Sequence, residues 1–239
     1  MEIKIKNSNI IIKQKSIVGI ISTNKNNLIK KLSSRFFYLY KYIEKKEKIK
    51  YKIINSSNVR FRKSTVSEEI SSYCKHVHNF KETIQNLFDI LDIDKDIIDK
   101  KISEISTSEK YKLFLLLNTI ENKNAYIFIN VYKYLDRNNK KIIKQYLDYL
   151  KSNDIFVFIV DEDINNIYYT SDMILIKNDK KYLYNSTKNI LTNIDLLKEL
   201  NIDFPDLPYI TYLAKKRKNV KLFYHNDVRD IIKDIYKHV

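Results

Sequence analysis

Ile17-Val18-Gly19-Ile20-Ile21-Ser22, followed by Thr23-Asn24-Lys25-Asn26-Asn27 and then by Leu28, Ile29 and Leu32, is the stretch on which the reading of this chain turns. The first six residues form a short apolar run of strand character, and the apolar residues at 28, 29 and 32 recur at helical spacing. Strand, polar loop, helix is the order in which a phosphate-binding loop is built. In such a loop glycines let successive amide N–H groups turn inward around a phosphate, a conformation that strains other residues. Here the loop from Ser22 to Asn27 has no glycine, and Gly19, just upstream, is the only one in 239 residues. The frame of a nucleotide site is present without its usual chemistry.

Working outward, 239 residues with 44% hydrophobic content suit one large domain, or a core with a subdomain, and can bury a sizeable core. Usage leans heavily on Lys, Asn, Ile and Tyr, with two Pro and no Trp, a bias that resembles AT-rich coding. Such bias accounts for part of the glycine shortage but not for a working loop losing every glycine. The formal net charge of +15 favours phosphate backbones or anionic lipid surfaces. The densest patches are Lys45-Lys46 with Lys48 and Lys50, and Lys215-Lys216-Arg217-Lys218, which also read as plain solvated faces. No apolar run approaches the length of a membrane span and no signal peptide opens the chain, so the expectation is a cytoplasmic protein, peripheral on the cytoplasmic face of a membrane. A single cysteine, Cys74, excludes an internal disulfide.

Strand-like runs fall at about residues 9–13, 17–22, 50–54, 125–129, 155–160 and 172–177, several too apolar to have a solvated face. Helical patterns at 26–43, 137–151 and 163–169 supply crossovers, while 80–91 and 107–121 make a helical block. The alternation predicts an α/β fold with a doubly wound core sheet over 1–60 and 119–190, an inserted helical subdomain at 61–118, and a short helical C-terminal extension at 191–239, around Pro205 and Pro208.

Further residues fit an ordered series. Ile105-Ser106-Thr107-Ser108-Glu109 precedes an apolar helix; Tyr126-Ile127-Phe128-Ile129-Asn130-Val131 closes a strand; Leu135-Asp136 follows. Then come Ile159-Val160-Asp161-Glu162-Asp163 and Ser171-Asp172-Met173-Ile174-Leu175. This order resembles that of ABC-transporter ATPases, P-loop NTPases in which a signature sequence caps a helix, a Walker B strand ends in Asp-Glu, a Leu-Asp pair forms the D-loop and a later strand carries a switch histidine. Thr65-Val66-Ser67-Glu68-Glu69-Ile70 is similar to the family's "TVEEEI" segment and sets Asn55 at the Q-loop glutamine. Leu197 to Pro205, continuing through Leu213-Ala214-Lys215-Lys216-Arg217, looks most like the ATPases of energy-coupling-factor transporters. Met1 stands only shortly before the first hairpin strand, so the family's aromatic A-loop is expected to be missing.

The resemblance implies a nucleotide site at Ser22, Thr23, Asn24, Lys25, Asn26, Asn27 and Asn55, yet its reactive positions have changed. A three-residue gap sets Lys25 at the P-loop lysine and Asn26-Asn27 where hydroxyls should hold Mg²⁺; an ungapped alignment sets Leu28 at the lysine. Asn130 replaces the Walker B aspartate and lacks the charge that helps hold a hydrated divalent ion. Val131 stands where the catalytic glutamate would orient water, and an aliphatic side chain accepts no hydrogen bond. Glu162 replaces the switch histidine, an anion where the family meets a γ-phosphate. Thr107 and Ser108 replace signature glycines, with Ser106 retained and Glu109 closing the segment.

These substitutions predict a pseudo-ATPase that carries no catalytic residues or metal of its own and has no certain cofactor, ATP and Mg²⁺ binding weakly or through a partner's site. The resemblance implies an intact ABC ATPase subunit and a transmembrane coupling protein as partners. An alternative of another class is a basic scaffold that uses its lysines and tyrosines on nucleic acid; a stable product without a partner is a third. Glu68 and Glu69 read either as helix-capping acids or as a docking pair for a basic membrane-subunit helix. Cys74, His76 and His78 are three metal-type ligands within five residues, but a closed structural zinc site wants four and no fourth is evident. No Ser-His-Asp or paired-carboxylate arrangement is recognisable, so other hydrolase chemistry has no support.

Overall fold

The computed structural model describes residues 2–5, 8–22, 43–44, 50–73, 80–121, 123–133, 135–178, 181–218, 220, 222–223 and 228–237. Its strands are β1 (Glu2–Ile5), β2 (Ile11–Lys13), β3 (Ile17–Ser22), β4 (Ile43–Glu44), β5 (Tyr51–Asn55), β6 (Ala125–Ile129), β7 (Phe156–Val160), β8 (Met173–Asn178) and β9 (Lys181–Ser186). Its α-helices are α1 (Val66–Tyr73), α2 (Phe80–Ile90), α3 (Thr107–Thr119), α4 (Arg137–Ser152), α5 (Ile164–Thr170), α6 (Thr187–Thr192), α7 (Ile194–Glu199), α8 (Asp206–Lys218) and α9 (Val228–Tyr236).

Strand order in the central sheet is β5-β6-β7-β3-β8-β9. The first five run parallel and β9 returns antiparallel to β8. Because five strands point the same way, the carboxyl ends of β3, β5, β6 and β7 share one rim, where open α/β sheets form their crevices. A second, antiparallel sheet of order β2-β1-β4 packs on one face.

The two-residue period of the strands divides the core. Ala125, Ile127 and Ile129 of β6 and Phe156, Phe158 and Val160 of β7 turn toward Ile3, Ile5 and Ile12 of the small sheet. Their alternates Tyr126, Phe128, Val157 and Ile159 turn the other way, onto Leu113, Leu116 and Leu117 of α3 and Ile143, Tyr146 and Leu147 of α4. A third cluster joins Ile21, Ile174 and Ile176 to α5, α6 and α7. Continuous apolar runs were the signal for β6 and β7, and these strands are buried on both faces.

Two strands lacked that signal. β1 is four residues of which two are charged, and β9, Lys-Tyr-Leu-Tyr-Asn-Ser, is a half-exposed edge strand whose tyrosines and polar residues do not read as an apolar run. A strand therefore precedes the hairpin strand at 11–13. The helix expected over 26–43 falls almost wholly outside the described residues, and its last position, Ile43, is in β4.

Gly19 sits mid-strand without a left-handed φ. A Cβ there would come within 3.0 Å of Ile167 Cγ2, Ser171 Oγ and Ile174 Cδ1. Strand and helix α5 approach so closely that only glycine fits. The lone glycine is thus a packing residue.

Candidate functional site

The rim begins with Asn130, the residue after β6. It is 3% exposed and takes φ 54°, a left-handed conformation that asparagine tolerates better than most residues. Its N–H donates to the Val160 carbonyl at 2.8 Å, which carries the chain from β6 across to the end of β7. Its side chain completes the link: Oδ1 accepts from the Glu162 N–H at 2.9 Å and Nδ2 donates to Glu162 Oε1 at 3.1 Å. The two positions expected at Walker B and the switch are therefore bonded to each other. An aspartate at 130 would set its carboxylate against that of Glu162, whereas the amide offers one acceptor and one donor, both used.

Val131, next along, is fully buried in the core beneath α3 and α4. Its carbonyl accepts from the Tyr111 hydroxyl at 2.7 Å, and the same hydroxyl meets Ser56 Oγ at 2.6 Å. Tyr111 lies in α3, so one buried phenol ties the signature-like helix to the segments after β5 and β6. Burial pushes its pKa well above the ordinary phenol value, and it stays a neutral donor. Asn55 turns its side chain to its own backbone: Oδ1 accepts from Ser57 N–H at 2.9 Å, opening the short 3₁₀ turn Ser56–Asn58. Ser22 is the last residue of β3, opposite Lys177 in the register with β8. Thr23, Asn24, Lys25, Asn26 and Asn27 lie outside the described residues, as does the Cys74 to His78 cluster.

Asp161, within the Ile159–Asp163 segment, is the unusual carboxylate of the rim. Oδ1 accepts from Asp163 N–H at 2.9 Å and from Asn166 Nδ2 at 3.1 Å. Oδ2 is buried without a hydrogen-bond partner. Burial raises its pKa, with Asn166 and the Asp163 amide pulling the other way. Nearby, Lys140 Nζ donates to Asn166 Oδ1 at 3.2 Å and lies 5.9 Å from the centre of the Tyr132 ring. No spacing or motif would have singled out Asp161 or Tyr111, since the first stands out by burial and an unpartnered oxygen and the second by contacts across 20 residues or more.

The signature-like segment forms the start of α3. Ser106 is the N-cap and Glu109 completes a capping box: Glu109 N–H donates to Ser106 Oγ at 3.2 Å and Ser106 N–H donates to Glu109 Oε2 at 2.7 Å. The bonds from Ser106 hold the Glu109 carboxyl below the usual carboxylate range. A carboxylate of the chain itself thus sits among the donors at this helix N-terminus. Thr107 is exposed and Ser108, in the same turn, meets Ser106 Oγ at 3.2 Å. Leu135 is buried, and Asp136 caps α4 by accepting from Asn139 N–H at 2.8 Å.

The acidic pair at the start of α1 divides in two. Glu69 is 1% exposed and its Oε2 accepts from the amides of Arg62 and Lys63, at 2.9 and 2.8 Å. It shapes the 61–65 loop and is turned away from any docking partner. Glu68 is exposed and bonds Ser64 and Thr65.

Could these residues hold Mg²⁺ with a nucleotide? A hard divalent cation wants carboxylate, carbonyl or water oxygens that are free to turn toward it. Both ends of the Asn130 amide are committed to Glu162, and Val131 offers nothing, so positions 130 and 131 do not fit the ion. Among the described residues no group of three His, Cys, Asp or Glu is placed to hold a metal. A cleft of about 380 Å³, lined by Thr83, Leu87, Tyr146 and Tyr149, lies by Asn124 and Ile155, at the opposite end of β6 and β7 from the rim.

No protein-family model matches the sequence, and no curated protein matches it. Solved structures do. CbiO1 of Clostridium perfringens, part of the ABC transporter complex cbiONQ, is similar at TM-score 0.61 and 12% identity, over 87% of this chain and 92% of that one. A subunit of an ABC transporter described as metal-chelate type, in an inward-facing conformation, is similar at TM-score 0.59 and 13% identity, over 80% of this chain and 79% of that one. At such identities the likeness speaks for the fold. The chain has the mixed α/β fold of ABC-transporter ATPase subunits. Among the described residues no helix is long and apolar enough to cross a membrane.

Proposed function

We propose that the chain is a catalytically degenerate ATP-binding-cassette subunit of an energy-coupling-factor type transporter, which pairs with an intact ATPase subunit and a transmembrane coupling component. The observation that carries this reading is the reciprocal bonding of Asn130 and Glu162. Phosphoryl transfer to water needs a metal to neutralise developing charge and a group to orient the nucleophile. At this rim the two candidate groups are spent on each other, at 2.9 and 3.1 Å, and the intervening catalytic position is a buried valine.

The start of α3 supports the same conclusion. A helix N-terminus attracts a phosphate because its amides point outward and its dipole is positive there. With Glu109 drawn onto the Ser106 amide, an incoming γ-phosphate would meet a like charge and a donor already in use. Substitution at the signature and at the Walker B end thus works in one direction. The subunit's contribution would be structural: a second cassette face against which an active partner closes, and a surface that passes the closure to the membrane component. The CbiO1 structure belongs to a complex of this broad kind, and a peripheral position on the cytoplasmic face follows from such partners.

The test is hydrolysis and assembly measured separately. The isolated chain should release no phosphate from Mg-ATP above a buffer blank, and should co-purify with an intact cassette subunit and an integral membrane protein when expressed with its neighbouring genes. Turnover that Lys25→Ala abolishes would overturn the degenerate site. Failure to assemble with any cassette subunit would overturn the transporter role.

A further inference from the structure

Helix α9, Val228–Tyr236, presents an exposed apolar face. Val228, Ile232, Ile235 and Tyr236 are 52%, 45%, 36% and 78% exposed, although Ile231 of the same helix is 3% exposed. At 3.6 residues per turn Ile235, Val228, Ile232 and Tyr236 follow one another around about 100° of the helix. Arg229 and Lys233 come next on the outer side of that stripe, with Lys237 beyond them. On the inner side come Ile231 and Asp234, both buried. Asp234 Oδ2 accepts from the Phe223 N–H at 2.7 Å, which fixes a further exposed aromatic, 71% exposed, beside the helix.

The charges are sorted by this arrangement. One acid, Asp234, is turned inward and spent on a backbone amide; the other, Asp230, lies 3.5 Å from Lys233 Nζ. The outward border of the stripe is cationic, and Lys215, Lys216 and Arg217 at the end of α8 are also exposed.

We infer that α9 docks on the surface of an anionic lipid bilayer, its apolar stripe entering the headgroup boundary and its basic border meeting lipid phosphates. An exposed aliphatic and aromatic stripe edged by Lys and Arg is what a helix lying in a membrane interface requires. The chain's formal net charge of +15 opposes a face shared between two copies. This contact needs no membrane protein, and so it goes beyond the transporter reading and stands or falls apart from it.

The experiment is flotation of the full chain, alone, with vesicles of phosphatidylglycerol and phosphatidylcholine, and with vesicles of phosphatidylcholine only. The chain should float with the anionic vesicles and not with the neutral ones, and the double variant Ile232→Glu with Ile235→Glu should lower partitioning by about tenfold or more. Both side chains are exposed, so the variant should keep the parent's circular dichroism, and that spectrum is recorded alongside. Absence of flotation with anionic vesicles would overturn the inference. So would binding that the double variant leaves unchanged, which would assign it to lysines elsewhere. A concentration-dependent dimer that the variant dissociates, with no vesicle binding by the parent, would show the stripe to be a face between copies.

Discussion

The bodies of β6 and β7 and the rim at their carboxyl ends lie one residue apart, yet they follow different rules. In the bodies every residue is buried, and the side chains alternate between two apolar clusters. Burial of apolar surface is non-directional and roughly proportional to area, so many sequences satisfy it. At the rim the polar atoms count singly. Asn130 bonds Glu162, Asn55 bonds Ser57, and Asp161 bonds Asn166. Each is bonded to a partner within the chain. The packing that stabilises the sheet does not depend on which polar groups stand at its rim.

The sharpest way to break this comparison is to disturb the frame itself. Gly19→Val would drive side-chain atoms into Ile167, Ser171 and Ile174 and should cost about 3 kcal/mol in urea denaturation. A neutral outcome would mean that glycine is held there for some reason other than close strand–helix packing. Next in size comes the joint between frame and rim: Tyr111→Phe removes the hydroxyl shared by Ser56 and Val131 and should cost about 1–3 kcal/mol. Little or no loss would show that the rim is not tied to α3 through this phenol.

The smallest effect belongs to the rim alone and is read against pH. Burial raises the Asp161 carboxyl in the folded state, so between the ordinary and the raised pKa the folded chain holds a proton that the unfolded chain has released. Stability must then fall as pH rises through that window. Asp161→Asn removes this dependence. Urea midpoints of parent and variant between about pH 4 and pH 7 should diverge, with the variant gaining on the parent toward neutrality. Parallel curves would mean that the carboxylate is better solvated than its buried Oδ2 implies.

Much of the frame was legible from the letters. Apolar runs at 125–129 and 155–160 and the helical pattern at 137–151 correspond to β6, β7 and α4 with ends shifted by a residue. They were readable because a strand buried on both faces admits hardly any polar residue, and an amphipathic helix repeats its apolar positions every three or four residues. β1 and β9 were not legible because one is short and the other is a tyrosine-bearing edge. At the rim, Asn130, Val131 and Glu162 are the residue types behind the proposal of a degenerate site. Their contacts were not legible: Glu162 Oε1 accepts a hydrogen bond from Asn130 Nδ2. Glu69, open to a docking reading, is a buried loop anchor.

The sequence alone determined the layered α/β plan and which residue types stand at 22–27, 130, 131 and 162, since hydrophobic period and residue type are local properties of the chain. Only the tertiary structure decided where their hydrogen bonds go. It showed that Gly19 serves helix packing, that Asn130 and Glu162 close on each other across two strands, and that Tyr111 joins three segments at one hydroxyl. Those outcomes depend on groups distant in sequence meeting at about 3 Å, where a buried polar atom must find whichever partner the fold brings.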